Sequence, residues 1–286
     1  MIWKRILNLR VKRREKIMIK EIIGLSLFLG LIPLMAMKDQ DFDGVADSVD
    51  ECPKTPFLNE VNAKGCSVNV LTLPSETESD SLVTTLSYGL NTNEDLLGRE
   101  KQHSSKLQVN YYHDKWSYSL STGYYRHAKS EGALDTEVKV KHYFKLTPKL
   151  KLRLGVGVKL PTYDFIGNKT DYTLYSSLNY YVTPAFSLFS QYNYSYIHDI
   201  NEITPLRNSY ASSFGAGYFF TKDFYSNLAY HKGQSKFTNE HNIESLSSSL
   251  YYKIDQKWFG TLFYDREIYD EDFHETINFK IGYKWW

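Results

Sequence analysis

Apolar and polar residues alternate regularly from Leu82 onward, and this alternation constrains the fold more than any other feature of the chain. In residues 150–160, LKLRLGVGVKL, leucine and valine occupy one face, and lysine, arginine and glycine occupy the other. A period of two is typical of a β-strand, whose successive side chains point to opposite sides of the sheet. The segment also has the length of a tilted strand that crosses a membrane, roughly 9–11 residues.

The alternation recurs along the chain and predicts about twelve strands. We expect them near residues 82–90, 104–112, 116–125, 134–144, 150–160, 171–182, 186–197, 209–220, 224–232, 243–254, 258–267 and 274–285. Short turns near 113–115, 145–149, 183–185, 221–223 and 255–257 alternate with longer polar connections near 91–103, 126–133, 161–170, 198–208, 233–242 and 268–273.

This arrangement is typical of bacterial outer-membrane barrels, which have an even strand count, short periplasmic turns and longer outside loops. The sequence therefore predicts an all-β fold, a single antiparallel up-and-down transmembrane β-barrel over residues 82–286, with both ends in the periplasm. The alternative is a secreted, soluble β-sandwich or propeller, whose strands would average about five or six residues.

The composition agrees with a membrane barrel. Aromatic residues make up 16% of the chain, and 24 residues are tyrosine. Tyrosine and tryptophan favour the membrane–water interface, where one part of the ring meets lipid and another meets water. A mean hydropathy of −0.44 argues against a helical membrane protein but suits a barrel, whose strands are polar on one face. The net charge of +1 indicates no nucleic-acid partner.

Residues 1–36 are expected to form a cleaved signal peptide. Eight basic residues precede Ile22, an apolar run extends to Met35, and Ala36 offers a small residue for cleavage. This order is typical of a secretory signal, and the apolar run is shorter than the roughly 20 residues of a membrane-spanning helix. Met18 is an alternative start, and an uncleaved signal anchor is the alternative interpretation.

An acidic stretch after the signal predicts a calcium-binding loop. Aspartates alternate before Gly44, and closely spaced carboxylates around a glycine turn supply the six to eight oxygens that Ca²⁺ prefers. The predicted ligands are the carboxylates of Asp39, Asp41, Asp43, Asp47 and Asp50 and the backbone carbonyl of Val45. A solvated acidic linker that holds no ordered ion is the alternative.

The acidic stretch continues into Cys52-Pro53, Thr55-Pro56 and Gly65-Cys66, and as a whole it resembles a thrombospondin type 3 repeat over residues 37–66. The resemblance implies a short calcium-binding segment of a kind that serves as a linker in bacterial outer-membrane proteins. An EF-hand is not favoured, because Cys52-Pro53 stands where its second helix would begin. In an exported chain the two cysteines, Cys52 and Cys66, predict one disulfide. Residues 67–81 are expected to be a linker.

The C-terminal sequence FKIGYKWW resembles the aromatic-ended last strand of bacterial outer-membrane proteins, which the outer-membrane assembly machinery recognises. Trp285 keeps the alternation, whereas Trp286 lies one residue beyond it. The resemblance implies that the barrel lies among the lipids of the cell outer membrane, with the N-terminal segment in the periplasm.

If the aliphatic sides of the strands face lipid, the opposite sides face the lumen. The predicted lumen-lining basic residues are Lys106, Lys139, Lys141, Lys151, Arg153, Lys159, Lys280 and Lys284. Asp135 and Glu137 oppose them, and a basic lining favours anions. The sequence thus predicts a narrow, porin-like diffusion channel for small solutes with a mild anion preference. The alternative is a plugged barrel, packed with salt bridges, in a structural or anchoring protein.

The sequence predicts no catalytic site. Asp270, Asp272 and His274 resemble part of the catalytic cluster of outer-membrane proteases, and His103 and Ser105 have the spacing found in outer-membrane phospholipases. Neither group is accompanied by the other residues of its family, so the favoured interpretation is that these are solvated polar residues of the loops.

Overall fold

The structure is a computed structural model. It describes residues 45, 47–53, 55, 60–62, 64, 66–69, 80–95, 98–127, 130–163, 166–239, 242–268 and 273–286. Within these residues, twelve long antiparallel strands close into a barrel. The predicted fold class is confirmed.

Two short strands precede the barrel, β1 (Glu60–Val61) and β2 (Ser67–Asn69), and a short strand β6 (Ser130–Ala133) extends one hairpin. The barrel strands are β3 (Ser81–Asp95), β4 (Gly98–His113), β5 (Trp116–His127), β7 (Thr136–Lys145), β8 (Leu150–Leu160), β9 (Asp171–Tyr181), β10 (Phe186–Tyr196), β11 (Ser209–Phe219), β12 (Phe224–Gln234), β13 (Asn242–Lys253), β14 (Trp258–Glu267) and β15 (Phe273–Lys284).

The barrel closes where its last strand pairs with its first. On β15, Ile281 lies opposite Leu86 of β3, and the N–H of Trp285 donates to the carbonyl of Leu82 at 2.9 Å. All other barrel strands pair with their neighbours along the chain. Closure gives the backbone N–H and C=O groups at both sheet edges hydrogen-bond partners. The interior of a membrane contains no water that could provide such partners.

Four turns at the end of the barrel where β3 begins and β15 ends share one local feature. A threonine or aspartate side-chain oxygen accepts a hydrogen bond from the backbone N–H three residues later. The pairs are Thr147 with Leu150 (3.0 Å), Thr183 with Phe186 (2.9 Å), Thr221 with Phe224 (3.1 Å) and Asp255 with Trp258 (2.8 Å). Such side-chain caps favour tight turns, so this end of the barrel is called the turn end and the other the loop end.

The burial pattern is the reverse of that in a water-soluble protein. Among the described residues the buried side chains are mostly serine, threonine and other polar groups, whereas large apolar side chains lie exposed on the outside. The outside carries an aliphatic band that includes Leu86, Leu107, Leu120, Val156, Leu174, Leu228 and Leu262.

Exposed aromatic side chains flank the aliphatic band at both ends. Tyr88, Tyr124, Tyr172, Tyr196 and Tyr230 lie toward the loop end. Trp116, Tyr118, Phe144, Tyr180, Tyr252, Trp258 and Trp285 lie toward the turn end. An apolar band between two aromatic girdles is the surface of a barrel that spans a membrane.

Two predicted loops are wrong in part. Residues 91–103 were expected to form a long loop, but β3 and β4 continue through most of this range and end at Asp95 and Gly98. Within 126–133, β5 runs to His127 and β6 follows. The apolar alternation stops because these hairpins extend beyond the aliphatic band. Backbone pairing continues there, but it does not by itself require apolar and polar residues to alternate.

The segment before the barrel is tied to itself in several places. It contains the predicted disulfide between Cys52 and Cys66. The Asp50 carboxylate accepts the N–H of Cys52 at 2.8 Å, and Lys64 Nζ lies 2.9 Å from Glu51 Oε1. The predicted calcium ligands Asp39, Asp41 and Asp43, like the predicted signal peptide, lie outside the described residues. Among the described residues, no helix is long and apolar enough to cross a bilayer.

Candidate functional site: the barrel lumen

Basic side chains gather on one part of the inward-facing surface. Strand register places Lys106 of β4, Lys139 and Lys141 of β7, Arg153 of β8 and Lys280 of β15 on the face opposite the exposed leucines. We call these five residues the cationic wall. Three other predicted basic residues occupy alternating strand positions that also point inward, namely Lys151, Lys159 and Lys284.

Two glycines of β8 make room for this wall. Gly155 lies opposite Lys141, and a Cβ atom there would come within 2.5 Å of the Lys141 side chain. A Cβ at Gly157 would lie 2.8 Å from the ring of Tyr175. The lysine stems and the tyrosine ring therefore lie along the wall, where a larger residue would displace them toward the axis.

Tyr175 holds the lysines through its ring. The ammonium groups of Lys139 and Lys141 lie 5.2 and 4.6 Å from the centre of this ring, within cation–π distance. The Tyr175 hydroxyl donates to Glu137 Oε1 at 2.5 Å, and Lys139 Nζ lies 2.7 Å from Glu137 Oε2. Glu137 thus neutralises Lys139 and fixes the Tyr175 ring, which contacts both Lys139 and Lys141.

The other basic groups of the cationic wall are not closely paired with acidic side chains. Lys106 Nζ is 4.0 Å from Glu137, at the limit of an ion pair. Among the described residues, no carboxylate lies within 4.0 Å of Lys141, Arg153 or Lys280. The wall therefore presents more positive than negative charge to the lumen.

The wall across the lumen is neutral and polar. Its inward residues on β10 to β13 include Gln191, Asn193, Ser213, Asn227 and Ser249, which we call the neutral wall. The Asn227 amide donates to Ser249 Oγ at 2.7 Å. A cavity of about 380 Å³ lies toward the loop end of the lumen. It is lined by Glu137 and Tyr175, which contact the cationic wall, and by Asn193, Ser195, Ala211 and His231 on the strands of the neutral wall.

At the loop end, Lys159 is the centre of an ionic cluster. Its Nζ lies 2.6 Å from Asp171, 2.9 Å from Asp199 and 3.4 Å from Asp135, and Lys236 Nζ lies 3.0 Å from Asp199. Three carboxylates therefore face two ammonium groups, so Lys159 adds no net positive charge to the lumen. We call these five residues the loop-end cluster.

Each aspartate of the loop-end cluster also holds a loop through its other oxygen. Oδ1 of Asp135 accepts the N–H of Tyr163 at 2.9 Å, and Oδ1 of Asp171 accepts the N–H of His198 at 2.7 Å. Oδ1 of Asp199 accepts the N–H of Lys169 at 2.9 Å. The cluster thus ties the loops after β8 and β10 to the end of the barrel.

The charge of Asp199 is favoured where it lies. Burial acts to raise the pKa of this carboxyl, but the Lys169 N–H and the ammonium groups of Lys159 and Lys236 outweigh it, and the net pKa lies below its ordinary value.

The loop after β8 is also bonded to the loop after β10 through its backbone. The carbonyl of Gly167, a residue with φ of +91°, accepts the N–H of Ile200 at 2.8 Å. A Cβ at Gly167 would collide with the Ile200 carbonyl, so glycine is required there.

At the turn end, aromatic rings narrow the lumen. Lys151 is buried, and its ammonium lies 5.7 Å from the ring centre of Tyr143 and 5.0 Å from that of Tyr181. The Tyr225 ring covers Gly217. Lys284 lies at this rim and is exposed.

His103 and Ser105, which have the spacing found in outer-membrane phospholipases, face outward on β4. His103 Nδ1 forms a hydrogen bond with the Tyr88 hydroxyl at 2.5 Å. Asp270 and Asp272 lie outside the described residues. His274 Nδ1 lies 2.8 Å from Asn93 Oδ1. Within the described residues no group of three or more histidine, cysteine, aspartate or glutamate side chains could hold a metal ion.

The loop-end cluster was missed by the sequence interpretation. Its residues come from β8, β9 and three connections, with Asp135 and Lys236 about a hundred residues apart in the chain. Asp199 and Lys236 lie in ranges that the sequence marks only as polar loops. No spacing in the sequence signals that they meet.

The closed barrel, its lipid-facing band and its aromatic girdles define the chain as an outer-membrane-type β-barrel. No protein-family model matches the chain, and no curated protein matches its sequence. Its fold is similar to that of many solved barrels, among them two with TM-scores above 0.5. One is the NanC porin, with a TM-score of 0.54 and 14% identity over 70% of this chain and 98% of that one. The other is the COG4313 outer membrane channel from Pseudomonas putida F1, with a TM-score of 0.59 and 10% identity over 75% of this chain and all of that one.

Proposed function

We propose that the barrel is a narrow, anion-preferring diffusion channel for small solutes. The observation that carries this proposal is the cationic wall, in which Lys141, Arg153 and Lys280 face the lumen without a described carboxylate within 4.0 Å. A wall of one charge in a confined lumen raises the local concentration of counter-ions. The neutral wall opposite offers amide and hydroxyl groups that can replace part of a solute's hydration shell.

The fold supports a channel without setting its solute. A barrel of this strand number is wider than an eight-stranded barrel, whose interior is filled by side chains, and narrower than a 16-stranded porin. The two similar structures are described as a porin and an outer membrane channel. At their low identity they support the architecture, and the choice of anions rests on the residues of this lumen.

Reconstitution in a planar bilayer under a salt gradient tests the proposal. We expect discrete conductance steps and a reversal potential that indicates chloride permeating about threefold better than potassium. A correctly folded barrel that gives no steps would overturn the channel and favour the plugged, structural alternative. A cation-selective reversal potential would overturn the role of the cationic wall.

We also propose that the segment over residues 37–66 is a periplasmic, thrombospondin type 3-like calcium-binding segment that follows a cleaved signal peptide. Support comes from the aspartate spacing in the sequence and from the Cys52–Cys66 disulfide and Asp50 cap, which hold the end of the segment compact. Calorimetric titration of the full chain with Ca²⁺ should give a dissociation constant on the order of 10⁻⁴–10⁻³ M. Asp41→Asn/Asp43→Asn should abolish this binding, and unchanged binding would contradict the site.

A further inference from the structure

Three basic side chains lie together on the outward face of the barrel, at the loop end of β4 and β5. His103 and Arg126 are cross-strand partners, with Cα atoms roughly 5 Å apart. Lys101 lies two residues along β4 from His103, roughly 7 Å away on the same face. We call Lys101, His103 and Arg126 the rim patch. It lies on the lipid-facing side, one step beyond the exposed ring of Tyr124.

The rim patch is weakly neutralised by the protein itself. Arg126 Nε lies 3.8 Å from Glu131 Oε2, and both side chains are largely exposed, at 76% and 59%. An exposed pair of this kind contributes little. Within the described residues, Lys101 has no carboxylate within 4.0 Å. The His103 ring is held by the Tyr88 hydroxyl rather than by an acid.

The far side of the same rim is different. There Lys232 of β12 also faces outward, but its Nζ lies 2.7 Å from Glu244 Oε1. The other oxygen of Glu244 accepts the Tyr230 hydroxyl at 2.7 Å. Lys232 is therefore satisfied within the protein, whereas the rim patch keeps an excess of positive charge toward the membrane.

We propose that the rim patch binds the phosphate-bearing headgroup of a lipid in the outer leaflet. The patch lies just beyond the aromatic girdle, which marks the level of the lipid headgroups. Guanidinium and ammonium groups are the side chains that bind phosphate oxygens, and basic residues at a membrane surface attract anionic lipids. Exposed rings of Tyr88 and Tyr124 lie next to the patch on the side of the aliphatic band, where they would contact the upper part of the acyl chains of such a lipid. A lipid is the occupant because the patch faces the bilayer and not the pore.

Native mass spectrometry of the refolded full chain with added lipid tests this proposal. The probes are phosphatidic acid, which carries a phosphate monoester, and phosphatidylcholine as the zwitterionic comparison. We expect Lys101→Gln/Arg126→Gln to reduce retention of phosphatidic acid on the order of tenfold and to leave phosphatidylcholine unchanged. Lys232→Gln is the matched control, since it removes an outward rim cation that is already paired, and it should retain phosphatidic acid like the unmodified chain.

Several outcomes would overturn the proposal. Equal retention of phosphatidic acid by the double variant and the unmodified chain would remove the role of the patch. An equal loss with Lys232→Gln would show a general charge effect. Displacement of the lipid by millimolar inorganic phosphate would show a site for soluble anions rather than for a lipid. Heat-modifiable migration on a gel confirms that every variant is folded, and none of these outcomes depends on whether the barrel conducts.

Discussion

The two walls lie on opposite sides of one lumen, yet they are built from different residues. The cationic wall carries long basic side chains laid over glycines and a tyrosine ring, as at Gly155, Gly157 and Tyr175. The neutral wall carries short amides and hydroxyls that bond one another, as Asn227 does with Ser249. The positive charge of the lumen thus lies on one side of the barrel, and the short side chains that leave space open lie on the other. From this difference we expect ion selectivity and pore width to depend on separate sets of residues, so that each can be changed without the other.

The largest expected effect follows from reversing the charge of the cationic wall. Lys141→Glu/Arg153→Glu places carboxylates where two unpaired cations stand, so ions of the opposite sign are concentrated in the lumen. We expect the bilayer reversal potential to change sign and the anion-to-cation permeability ratio to fall roughly tenfold. Lys232→Glu, which alters charge on the outside of the barrel, should leave the ratio unchanged. If both variants shift it equally, the lumen wall does not set selectivity.

The second largest effect is expected when a larger side chain fills the space that Gly157 leaves beside the Tyr175 ring. Gly157→Val introduces atoms within contact distance of the ring, because a Cβ there already lies 2.8 Å from it. We expect a loss of about 1–3 kcal/mol in the free energy of unfolding, a lower single-channel conductance and an unchanged ion preference. Gly260→Val is the matched control, since the nearest atom to its Cβ is 3.9 Å away. Full conductance in Gly157→Val would show that the ring is not displaced toward the axis.

A smaller, local effect is expected at the loop-end cluster. Asp199→Asn keeps an oxygen for the Lys169 N–H but removes the charge that faces Lys159 and Lys236. We expect the loops to open more readily, by about 2 kcal/mol, and trypsin to cleave them faster, while barrel strands stay protected. Glu202→Gln, an exposed change in the same loop, is the control. Equal cleavage rates in the two variants would contradict the role of the cluster.

The cluster also predicts a pH dependence. The folded pKa of Asp199 lies below its ordinary value, so its stabilising contribution is present above the unfolded pKa, about 3.9. The contribution is lost as the pH falls through the lower, folded pKa. The protection factors of the loop amides, which are exchange rates normalised to the intrinsic rate at each pH, should therefore stay high at pH 5 and fall only below about pH 4. A fall of these protection factors between pH 7 and pH 5 would contradict this assignment.

The smallest effect is expected from the segment outside the barrel. Deletion of residues 37–70 leaves both walls intact, so the reversal potential should stay within error of that of the full chain. The same deletion should abolish the proposed binding of Ca²⁺, as measured by calorimetry. A changed reversal potential would show that this segment contributes to the conduction pathway.

Much of the fold could be predicted because lipid and lumen impose opposite demands on alternate residues. The bounds of β8 and β14 agree with the strands expected at 150–160 and 258–267. The prediction failed at 91–103, where the hairpin extends beyond the aliphatic band and no apolar alternation is required. A period-two signal reports the membrane-embedded part of a strand rather than its full length.

The site could be predicted less completely than the fold. The inward parity of Lys141 and Arg153 follows from the same alternation, so their placement was accessible from the sequence. The pairing of Lys159 with Asp171 and Asp199 was not, because it depends on how loops distant in the chain fold over the barrel. The alternation of residues along a strand shows on which face a charged side chain lies. Only the three-dimensional contacts show whether that charge is neutralised.

The most direct test of the asymmetric lumen is a crystal structure of the barrel soaked in bromide, with anion positions located by anomalous scattering. The division between the walls predicts bromide peaks beside Lys141, Arg153 and Lys280, and none along Gln191, Asn193 or Asn227 of the neutral wall. Peaks distributed equally over both walls, or a lumen that excludes bromide altogether, would contradict it.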